Sequence, residues 1–123
     1  MNTEALRKTA ALLRESSSYD QAEWFKVTAG EAPLVVRCQT PACVAGHAII
    51  AAGKRIVRGE IVEDASSILS LTSREANVLF DAVGSSWPSA YAARLREVGI
   101  RGPEAAQVAA DLCDALADGT VTL

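Results

Sequence analysis

Aromatic side chains are scarce in this chain: two Trp, two Tyr and two Phe among 123 residues. A thick aromatic core is therefore excluded, and close packing of small side chains must take its place. Charge is also in short supply, at 22% of residues with a net charge of −3. That balance excludes the strongly basic surface of a general nucleic-acid binder. The hydrophobic half of the composition excludes an intrinsically disordered chain. No stretch approaches the ~18 apolar residues of a membrane span. The first fifteen residues carry Glu4, Arg7, Lys8 and Arg14 at helical spacing, without the apolar run of a secretory signal. The expected address is the cytoplasm, with no membrane partner. Three cysteines, an odd number, do not make a disulfide framework in that compartment. A P-loop, a dinucleotide-binding glycine pattern, a G-x-S-x-G elbow and an H-E-x-x-H pair are all missing. Paired acids such as Glu63-Asp64 read as an exposed helix start. No conventional enzyme class is indicated.

Alanine is what the chain has most of, 23 residues, and its pattern is helical. Leu6, Ala10 and Leu13 fall at i, i+4, i+7 and predict a helix over Glu4 to Glu15. Asp20 and Glu23 have capping-box spacing and predict a short turn of helix, with Trp24 and Phe25 as anchors. Phe25 to Cys38 is the best β candidate, two short runs of β-formers flanking Ala29 to Pro33, and predicts a small hairpin. Ala42 to Ala52 is almost wholly apolar. Thr40 as N-cap, Pro41 at the first position and Gly53 at the left-handed stop predict a central, buried helix. Further helices are predicted over Val62 to Leu69, Ser73 to Val83, Pro88 to Val98, and from Pro103 onward. The length suits one domain, 1–123. The expected fold is mainly α, a compact bundle of five or six helices with a small β-hairpin before the central helix.

Special chemistry concentrates between Cys38 and His47, which holds two of the three cysteines and the sole histidine. Cys43 and His47 are four apart and share a helix face. One reading is zinc, with Cys38, Cys43, His47 and Cys113 as a Cys₃His tetrahedron. The paired C-x-x-C spacing of familiar zinc sites is absent. A second reading makes Cys43 a nucleophile. At the third helical position after Thr40 the helix dipole favours a thiolate, with His47 as base. The third reading is packing: buried cysteine behaves as a small hydrophobe, and a lone histidine on an apolar helix donates to one backbone carbonyl. On this reading there is no catalytic residue, no cofactor and no metal.

The segment Cys38-Gln39-Thr40-Pro41-Ala42-Cys43-Val44-Ala45-Gly46-His47-Ala48 resembles a C-x-T-x-x-C-x-x-G-[W/H]-A motif of small bacterial and phage proteins with no assigned activity. The likeness continues in Leu69 to Phe80, which follows a Leu-x-Leu-Thr-x-x-Glu-Ala-x-x-Leu-Phe pattern, and in Trp87-Pro88. Gln39 replaces a common glycine and His47 a common tryptophan. A position that accepts tryptophan is not an obligatory ligand or base. Separately, Leu71 to Leu79 looks like the opening of a LuxR-type helix-turn-helix DNA-binding domain. The expected recognition helix fails that pattern: Glu104, Asp111, Asp114 and Asp118 are acidic, and no basic residue follows Pro103.

The expected function is a small cytosolic binding or accessory protein. It would act through a protein partner or small ligand, with the acidic last helix as one contact face. The resemblance adds a phage-related role, such as blocking a host defence protein. The alternatives are a metal- or thiol-site protein centred on Cys43, with structural zinc or cysteine-dependent catalysis, and a LuxR-like DNA binder.

Overall fold

The computed structural model describes residues 1–16, 19, 43–57 and 59–123. The expected helical turn at 20–23, the hairpin at 25–38 and the caps at Thr40 and Pro41 lie outside the described residues, as does Cys38. The described residues form six helices: α1 Thr3–Glu15, α2 Val44–Ala51, α3 Ile61–Leu69, α4 Ser73–Leu79, α5 Ser89–Val98 and α6 Pro103–Asp118. No strand occurs among the described residues, and the class is α. No helix among them is long and apolar enough to cross a membrane.

Helix α1 is the hub. Its broadest interface is with α6, and it also packs on α2 and α3. The predicted stripe of Leu6, Ala10 and Leu13 is fully buried. It faces an α6 rich in small side chains, where Ala105, Ala106, Ala109 and Ala110 are all buried. Small residues let helix axes approach closely, which compensates for the missing aromatics. Thr9 is buried with them, and its hydroxyl donates to the Ala5 carbonyl at 2.7 Å. Ser16, just past α1, is 5% exposed, and its Oγ has no hydrogen-bond partner among the described residues.

Helix α2 is buried from Val44 to Ile49, as its lack of charge predicts. It packs on both α1 and α3. Its start differs from expectation. Cys43 is extended (φ −80°, ψ −172°) and is the N-cap, so the helix begins at Val44 and not near Thr40. An unbroken apolar run contains no boundary signal of its own. The boundary is set where the Cys43 carbonyl takes the first helical bond, from the His47 amide at 3.0 Å. The stop is as predicted: Gly53 has φ +74°. Its amide bonds the Ile50 carbonyl at 2.9 Å and the Lys54 amide bonds the Ile49 carbonyl at 3.1 Å, a Schellman turn.

Helix α4 starts as predicted, with the Thr72–Glu75 capping box complete. It ends at Leu79, short of the expected Val83. The Trp87 indole N–H reaches back to the Leu79 carbonyl at 3.0 Å. Asp81 Oδ2 accepts from Ser85 Oγ and from the Ser86 amide, each at 2.9 Å. These bonds hold a turn around Gly84 where another helical turn would otherwise form.

Candidate functional site

Cys43, His47 and Tyr19 form a buried cluster at the start of α2. Their exposures are 0%, 3% and 1%. His47 Nδ1 lies 2.9 Å from the Cys43 carbonyl oxygen. A carbonyl only accepts, so Nδ1 carries the proton. The ring centroid is 5.9 Å from that of Tyr19, with the planes tilted by 50°. The sequence placed Cys43 and His47 on one helix face. The structure puts Cys43 at the cap, one turn before His47, and joins them through backbone carbonyl and ring. Tyr19 is a member that sequence reasoning missed, since no local pattern links it to α2. Its carbonyl accepts the Gly102 amide at 2.9 Å, which also ties the cluster to the start of α6.

Cys113 sits within α6, fully buried, on the face that packs toward α1 and Arg14. Burial pushes its thiol up to about 12, with the Asp114 carboxylate adding to the rise. A thiol in that state is not a nucleophile near neutral pH. Among the described residues, no three His, Cys, Asp or Glu side chains gather as a metal-holding group. The four-ligand set also needs Cys38, which lies outside those residues.

On α6, expected as one candidate contact face, Asp111, Asp114 and Asp118 pair with arginines of the fold. Arg14 bonds Asp111 at 3.0 Å and Asp114 at 2.7 Å. Arg94 of α5 bonds the other Asp111 oxygen at 2.7 Å, and Gln107 adds a bond at 2.8 Å. Arg7 bonds Asp118 and lies 3.9 Å from Asp114. These carboxylates clamp α1 and α5 to α6. The pairing could not be read from sequence, because the arginines lie on two other helices.

No protein-family model matches the chain, and no curated protein or solved structure matches it.

Proposed function

We propose that this chain is a small binding or accessory protein of a bacterial or phage cytosol. It acts through a protein partner or a small ligand and not through chemistry at Cys43. The observation that carries the reading is the burial of Cys43 and His47, with the His47 ring bonded to the Cys43 backbone. A catalytic cysteine needs solvent access, which the fully buried Cys43 lacks. Here the imidazole Nδ1–H stabilises the start of a helix. The phage association rests on the resemblance of Cys38 to Ala48, Leu69 to Phe80 and Trp87-Pro88. A DNA-binding role is disfavoured by the chain's net charge of −3 and by the lack of any basic residue after Pro103 to meet phosphate.

The test is isolation of the tagged chain from its native host under mild conditions. Each co-purifying protein or small molecule is then rebound to the purified chain. A partner that rebinds stoichiometrically supports the reading. A chain that rebinds none of them, and whose Cys43 alkylates faster than a free thiol, overturns it in favour of cysteine chemistry.

A further inference from the structure

We draw no further inference here: the strongest candidate, the N-terminus of α6, where Gly102 supplies no capping side chain, carries nothing, because helix N-termini attract anions in general and no buried polar side chain directed at this one among the described residues marks it as a ligand site.

Discussion

The backbone amide and the ring Nδ1 of His47 converge on one acceptor, the carbonyl oxygen of Cys43, at 3.0 and 2.9 Å. The first bond of α2 is thus doubled by a side chain from the next turn. His47→Phe keeps a ring against Tyr19 and loses the second donor, so a loss of about 1 kcal/mol is expected. His47→Ala also empties buried volume, so about 3 kcal/mol is expected. Urea melts of both variants check this. Equal losses would mean that the Tyr19 contact contributes nothing.

Asp111 should confer an acid-sensitive share of stability. Burial alone would raise its carboxyl; the bonds from Arg94, Arg14 and Gln107 outweigh that and hold it below the usual range. A depressed folded value means the contribution is complete above the unfolded carboxylate value of about 4. It is lost as pH falls through the folded value. The expected loss is about 1 kcal/mol, since the arginines are partly exposed. Tm measured between about pH 6 and 3 should fall less steeply in Asp111→Asn than in the parent. Arg7→Gln, at an exposed side chain, should leave Tm unchanged.

Gly84 should tolerate no side chain. Its φ is +65°, and a Cβ there would stand 2.4 Å from Leu95 Cδ2 and 3.3 Å from a Trp87 ring carbon. Leu95 is 1% exposed and has little room to move. Gly84→Ala is expected to cost about 2 kcal/mol or more through overpacking and backbone strain. Gly53→Ala, at φ +74° with open space around it, should cost about 1 kcal/mol. Chemical denaturation of the two variants side by side makes the comparison.

Neither buried thiol should react while the protein is folded. At neutral pH, iodoacetamide should label Cys43 and Cys113 no faster than the chain opens, and denaturant should accelerate both. Fast labelling of Cys43 in the native protein would make thiol chemistry the leading reading. Cys113 adds a pH signature. Its folded value of about 12 lies above that of an unfolded thiol. Its contribution is therefore complete below about pH 8.5 and is lost as pH rises toward the folded value. Cys113→Ala should flatten the alkaline fall in Tm.

Ser16→Ala should be neutral or stabilising. The hydroxyl is buried and makes no hydrogen bond among the described residues, so removing it relieves a desolvation cost of about 1 kcal/mol. A thermal melt decides, and a large loss of stability would reveal a bonding partner for Oγ.

Where local chemistry fixes a boundary, the sequence was a sufficient guide. Thr72 with Glu75, Gly53, and Gly102-Pro103 mark helix ends correctly because each acts within a few residues of itself. The end of α4 was not legible. It depends on an indole eight residues away folding back onto Leu79, and helix periodicity runs on regardless. The start of α2 failed for a related reason. Thr40-Pro41 is a good local start, but the His47 amide and ring meet the Cys43 carbonyl three residues later. At the candidate site, the shared face of Cys43 and His47 follows from spacing alone. Tyr19 does not, nor does the neutralisation of Asp111, Asp114 and Asp118, since both require knowing which helices become neighbours.

The pairing of α1 with α6 also sets a schedule. The first helix hides its leucines against the last, and nearly the whole chain must emerge from the ribosome between them. At about 5–20 residues per second, α1 waits several seconds for its main partner. During that interval the side of α1 that meets α6 is open to other apolar surfaces. The α1–α6 interface closes only when α6 arrives.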